Sequence, residues 1–170
     1  MKPFWRILLI SLVLNSHTGA SAEFKLSVTT HLGDRQTFRQ SDTIAFLMSL
    51  HQDAYLHVIY EDAAGDLTLV LPNQQQAETF YKAAQFISVP AADAGFEFSV
   101  GPPYGKETLW VIACDKPLDL NRLVALTAVE NGMHLLKNTK IEQLKKKLYA
   151  YASEHNLRLD TAAGSIHTLP

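Results

Sequence analysis

The chain has 170 residues, 47% of them hydrophobic and 19% charged, with a formal net charge of −2 and one cysteine. That length suits one domain with an appendage. The composition excludes a wholly disordered chain, an internal disulfide framework and a zinc site needing two thiolates from this chain, and it gives no electrostatic footprint for nucleic acid.

The opening segment has the layout of a secretory signal peptide. Lys2 and Arg6 precede the apolar run Ile7–Leu14, a polar stretch follows, and Ala20-Ser21-Ala22 offers small residues at the two positions a signal peptidase reads. The apolar run is far shorter than the ~20 residues of a membrane span. Cleavage is expected after Ala22, which assigns residues 1–22 to a leader and places the protein in the periplasm or outside the cell. No transmembrane segment is expected in what remains. Cys114 lies in the apolar run Leu109-Trp110-Val111-Ile112-Ala113-Cys114 and is expected to be buried as a small hydrophobe.

From Glu23 to about Pro117 the apolar residues recur with period two, which sends successive side chains to opposite faces of a sheet. Phe24, Leu26 and Val28 alternate with polar residues, and Ile44, Phe46, Met48 and Leu50 share a face. Tyr55–Tyr60, Leu67–Leu71, Phe96–Val100 and Leu109–Cys114 follow. Gly33-Asp34, Glu61–Asp66, Pro72-Asn73 and Gly101–Gly105 supply turn chemistry between them. Ala77, Phe80, Tyr81 and Ala84 have helical spacing, so a short helix is expected within 74–86. Several short strands at this spacing predict an antiparallel β-sandwich, immunoglobulin-like, over residues 23–118.

After Pro117 the period becomes 3.6, and two C-terminal helices are expected within 119–160. Asp119 is a candidate N-cap for the first, with Leu120, Leu123, Val124 and Leu126 on its face and Asn131-Gly132 as its stop. Thr139–Glu142 has the form of a capping box for the second. Ile141, Leu144, Leu148 and Tyr151 then form an apolar stripe, which would cover either this chain's own sheet or a partner's groove. Residues 161–170 are small and polar and are read as a flexible tail.

Six short motifs in order resemble a known family. They are Gly33-Asp34, Tyr55-Leu56-His57-Val58, Asp62-Ala63-Ala64-Gly65, Leu69-Val70-Leu71-Pro72-Asn73, Ile87-Ser88-Val89-Pro90 and Gly101-Pro102-Pro103-Tyr104-Gly105-Lys106-Glu107. Together they resemble the bacterial domain of unknown function 4384 family over about residues 24–118. Tyr104 is an extra residue relative to the commoner Gly-Pro-x-Gly. The resemblance implies an accessory or binding domain of an exported bacterial protein, found beside caspase-like, kinase or repeat modules, with no catalytic residues to carry over.

Direct signs of chemistry are few. There is no Gly-x-Ser-x-Gly elbow and no glycine-rich phosphate loop. His51, Asp53 and His57 lie close in sequence but straddle a turn and a strand, and no metal or other cofactor is expected. Glu97 and Glu107 are the most plausible carboxylate pair for acid–base work, against the reading that both decorate the outer face of strands. Candidate partner-binding loops centre on Pro72, Asn73 and Tyr104. The expected function is therefore an exported, non-catalytic binding or accessory domain in a bacterial envelope or secretion-associated assembly, with a protein partner in the cell envelope. An envelope hydrolase or its regulatory domain, and a periplasmic glycan- or small-ligand-binding protein, are the alternatives. N-terminal sequencing of the exported protein is expected to begin at Glu23; a protein that still begins at Met1 would overturn the leader.

Overall fold

The computed structural model describes residues 24–33, 36–129 and 132–170. The expected leader, and the turn residues Asp34 and Asn131, lie outside these. In chain order the strands are β1 (Ser27–Thr30), β2 (Thr37–Arg39), β3 (Thr43–Ile44), β4 (Phe46–Ser49), β5 (Ala54–Glu61), β6 (Leu67–Leu71), β7 (Phe80–Tyr81), β8 (Phe86–Val89), β9 (Phe98–Ser99) and β10 (Lys106–Cys114). A 3-10 turn (Leu120–Arg122) leads to β11 (Leu126–Ala128), β12 (His134–Leu136), helix α1 (Ile141–Glu154) and β13 (Leu159–Leu169).

The fold is mainly β. Its largest sheet has eight strands, with β11-β12-β6-β5-β10-β13-β2 in order and β7 pairing with β5. A smaller sheet, β1-β4-β8, and the pair β3-β9 complete it. Among the described residues every pairing is antiparallel except β13 with β2, where His167, Thr168 and Leu169 run parallel to Thr37, Phe38 and Arg39. That pair departs from the all-antiparallel expectation.

Alternation decides which core each residue joins. On β10, Leu109, Val111 and Ala113 enter one cluster together with Phe46 and Met48 from β4 and Ile87 and Val89 from β8. The intervening Ile112 and Cys114 enter a second cluster with Leu144, Leu148 and Ala152 of α1. The large sheet is thus covered on both faces, and its central strand reads as a continuous apolar run for that reason. Leu144 and Leu148 are 0% and 1% exposed, and burying each contributes about 2–3 kcal/mol. The apolar stripe has its surface within this chain: Ile141 and Tyr151 pack half-buried beside those leucines.

Five further expectations are corrected. Residues 161–170 are not a loose tail but most of β13, paired with β10 from Leu159↔Cys114 to His167↔Lys106. At Gly164 a small residue is what the site demands. A Cβ on Gly164 would lie 2.9 Å from Val28 Cγ1, so β1 crosses β13 where glycine alone fits without a shift. The segment 74–86 is not helical. Asn73 bonds the Gln75 and Gln76 amides like an N-cap, but β7 pairs with the start of β5 and sets Phe80 against Tyr55 in a tilted ring contact at 5.1 Å.

The helix expected after Pro117 is one 3-10 turn. Asp119 does cap it, accepting from the Asn121 amide at 3.0 Å, but Leu126 then pairs with Leu136 in the sheet. The expected capping box of α1 is displaced by one residue. The Lys140 amide donates to Gln143 Oε1 at 3.3 Å, while the Thr139 hydroxyl donates to the Lys137 carbonyl. The boundary drawn at residue 118 does not separate two bodies either, because β11, β12 and β13 complete the same sheet as β5, β6 and β10. A chain ending at Arg158 is expected to lose its cooperative thermal unfolding in near-ultraviolet circular dichroism; an undiminished transition would show that β13 is dispensable.

Candidate functional site

The loop residues singled out from the sequence are engaged by their own neighbours. Asn73 is 6% exposed. Its Nδ2 donates to the Val70 carbonyl at 2.7 Å, and its Oδ1 accepts from Gln75 and Gln76 at 2.8 and 2.7 Å. The amide therefore shapes the turn that leaves β6. Pro72 beside it is half-buried. Tyr104 is half-buried too, its ring packed against the first core cluster.

A cavity of about 290 Å³ opens between the sheets. It gathers side chains from remote parts of the chain, among them Tyr60 of β5, Thr68 of β6, Phe98 of β9, Glu107 of β10 and Met133 before β12, with Glu97 also on its wall. The two glutamates paired on sequence grounds do meet at one cavity, but in unlike settings. Glu97 is exposed, whereas Glu107 is 4% exposed. Glu107 faces inward because it shares the face of Leu109, Val111 and Ala113, so it does not decorate an outer face.

Both oxygens of Glu107 accept hydrogen bonds. The Tyr60 hydroxyl donates to Oε2, and the Thr168 hydroxyl donates to Oε1 at 2.7 Å. Burial, followed by the bond and the charge of Glu107, pushes the Tyr60 phenol far above its ordinary value and keeps it a donor. Among the described residues no cation forms an ion pair with Glu107. The aromatic wall is ordered: Tyr60 and Phe98 stack at 6.4 Å with 13° between planes, and Phe46 and Phe96 meet Phe98 edge-on at 6.5 and 5.6 Å. Thr168 also fixes the mouth of β10, since its hydroxyl accepts from the Gly105 amide and its own amide donates to the Gly105 carbonyl.

The other titratable candidates sit elsewhere. His57 shares the face of Ile59, on the helix side of the large sheet, and is 4% exposed. Burial lowers it to about 4, against the opposing effects of a backbone hydrogen bond at Leu118 and the Asp119 charge. His51 and Asp53 do not join it: Asp53 accepts from the Ala83 amide at 2.8 Å. Among the described residues no three His, Cys, Asp or Glu side chains come together to hold a metal. Cys114 is a free, buried thiol pushed up to about 12 by burial and by Asp115, which disfavours the thiolate that reactivity needs.

A second surface lies at the edge of the small sheet. β8 pairs with β4 on one side and ends the sheet on the other. Ile87 and Val89 point into the core, but Phe86 is 85% exposed. Beside it a hollow of about 230 Å³ is lined by Ser49, Leu50, His51, Ala84, Gln85 and Phe86. No helix among the described residues is long and apolar enough to cross a membrane.

Residues 37–117 match the family model described as Domain of unknown function (DUF4384). That stretch spans β2 to the end of β10 and includes Tyr60, Phe98 and Glu107, while Thr168 lies beyond it. No curated protein and no solved structure matches the chain.

The buried histidine sets a pH dependence whose sign is fixed. In the unfolded chain His57 titrates near its ordinary 6.5, and in the folded chain near 4. Between those values the unfolded state binds more protons, so the stability His57 supports is complete above pH 6.5 and lost as pH falls toward 4. The ceiling is about 3 kcal/mol. Urea unfolding of wild type and His57→Gln across that window is expected to show the acid-side slope shrinking in the variant; parallel curves would refute the assignment.

Proposed function

From the premise that the chain belongs to the DUF4384 domain family through residues 37–117, we propose that it is an exported, non-catalytic binding domain of the bacterial cell envelope. It binds an extended segment of a partner protein along the open edge of β8. The observation that carries this reading is the chemistry of that edge. Phe86-Ile87-Ser88-Val89 has no charge, and its first side chain is 85% exposed. Proteins ordinarily blunt a free edge with charge, proline or a covering loop, because unpaired backbone groups recruit any passing strand. An exposed aromatic on an uncharged edge suits the addition of a strand, with main-chain bonds for affinity and the hollow beside Phe86 for one apolar side chain of the partner.

Two further observations support the reading. The N-terminal layout of basic residues, apolar run and small residues supports export. Glu107, the most buried carboxylate of the cavity, has both oxygens occupied by hydroxyl donors, which suits holding a charge in place better than passing a proton in a hydrolase.

A photo-crosslinking amino acid placed at position 86, in cells, is expected to give one discrete heterologous adduct. The same probe at Tyr149, 47% exposed on α1, is expected to give none. Phe86→Glu with a neighbouring probe at Gln85 is expected to lose the adduct. Equal adducts at both positions, no adduct at 86, or only a self-adduct of twice the chain mass would overturn the proposal.

A further inference from the structure

The cavity between the sheets has a composition that the strand-edge reading leaves unused. Its charged walls are Glu107 and Glu97, and among the described residues no lysine, arginine or histidine lines it. Glu107 is nearly sealed from solvent, and an enclosed carboxylate is costly unless it is paired or well hydrogen-bonded. Two neutral hydroxyls supply hydrogen bonds but no compensating charge. The remaining wall is aromatic and aliphatic, including the stacked Tyr60 and Phe98. Ring faces carry negative potential and attract cations, above all organic ammonium ions whose alkyl groups also gain from apolar contact.

We propose that this cavity binds a small organic ammonium ion, held between the aromatic wall of Tyr60 and Phe98 and the carboxylates of Glu107 and Glu97. The residues divide the work. Tyr60 and Thr168 anchor Glu107 so that its charge is fixed in place before a ligand arrives, which lowers the ordering cost of binding. Glu97, exposed at the wall, draws the cation in. Phe98 supplies ring surface, braced by Phe46 and Phe96. At about 290 Å³ the space lies just under the ~300–1,000 Å³ of sites for drug-sized ligands. It suits an amine head group the size of choline or ethanolamine. The other source of cavities, an apolar packing defect, would leave the wall indifferent to charge.

Methionine-methyl NMR of the intact protein separates the two. Met133 lines the cavity, whereas Met48, 1% exposed in the first core cluster, serves as an internal control for the fold. Choline is expected to move the Met133 methyl signal saturably and leave Met48 in place. The neutral isostere 3,3-dimethylbutan-1-ol, equal in shape but uncharged, is expected to bind about tenfold more weakly or less. Glu107→Gln is expected to weaken choline about tenfold. Glu97→Gln, at an exposed position that cannot threaten folding, is expected to weaken it about threefold. Equal binding of the neutral alcohol, no response of Met133 to choline or ethanolamine, or unchanged affinity in Glu97→Gln together with a folded Glu107→Gln would each overturn the proposal.

Discussion

Strand β10 is hydrogen-bonded along both edges and buried on both faces, and the arrangement of every other layer follows from that. All nine of its residues pair with β13 on one side, and seven of them, Thr108–Cys114, pair with β5 on the other. Odd positions from Glu107 to Ala113 look toward the small sheet and even ones toward α1. A strand in that position must satisfy all its backbone groups within the sheet, since no water reaches them. It therefore needs a long neighbour on each side. β5 was available from the adjacent hairpin region. The other edge required a second long strand, and the C-terminal segment is what fills it.

The same constraint creates the cavity. A residue on the inner face of β10 must point into the first core, and position 107 carries a carboxylate there. The fold accommodates it by aiming two hydroxyls at it, Tyr60 from the neighbouring β5 and Thr168 from the neighbouring β13. One donor comes from each strand flanking β10, so the network exists only once both pairings are in register. The partnership also crosses the limit of the family domain. Glu107 and Tyr60 fall within residues 37–117, and Thr168 does not. The C-terminal strand thus completes the domain chemically as well as structurally. On the opposite face Lys140 plays a comparable tying role, its ammonium donating to the Gly65 carbonyl at 2.8 Å and joining the start of α1 to the β5–β6 hairpin.

The legible part of the fold was the part whose side chains report their own burial. The alternation of Ile44, Phe46, Met48 and Leu50 marked a face that is indeed buried, and the runs at 55–60, 67–71 and 109–114 are strands β5, β6 and β10. Asp62 bonds the Ala64 and Asp66 amides in the hairpin its spacing suggested. The illegible part was decided by neighbours. Residues 161–170 read as loose because many are small and polar, and at Gly164 the small residue is required because β1 lies against it. Leu120, Leu123, Val124 and Leu126 keep helical spacing, yet only one turn forms. The sheet edge at β12 offers Leu126 a ladder that local propensity cannot outweigh.

For the candidate sites the division is similar. Sequence identified Glu97 and Glu107 as a pair worth attention, and it located a capping residue at Asp119 and a turn-forming amide at Asn73. By itself it determined the period-two core, the turn chemistry, the apolar stripe of α1 and the family of the central stretch, because each is written in local spacing. Only the tertiary structure decided that Glu107 is buried, that Tyr60, Phe98 and Thr168 surround it, that Phe86 is left outside, and that the last eleven residues before Pro170 form a strand. These depend on contacts between positions far apart in the chain, and the free energy of such contacts belongs to the pair and not to either residue's own pattern.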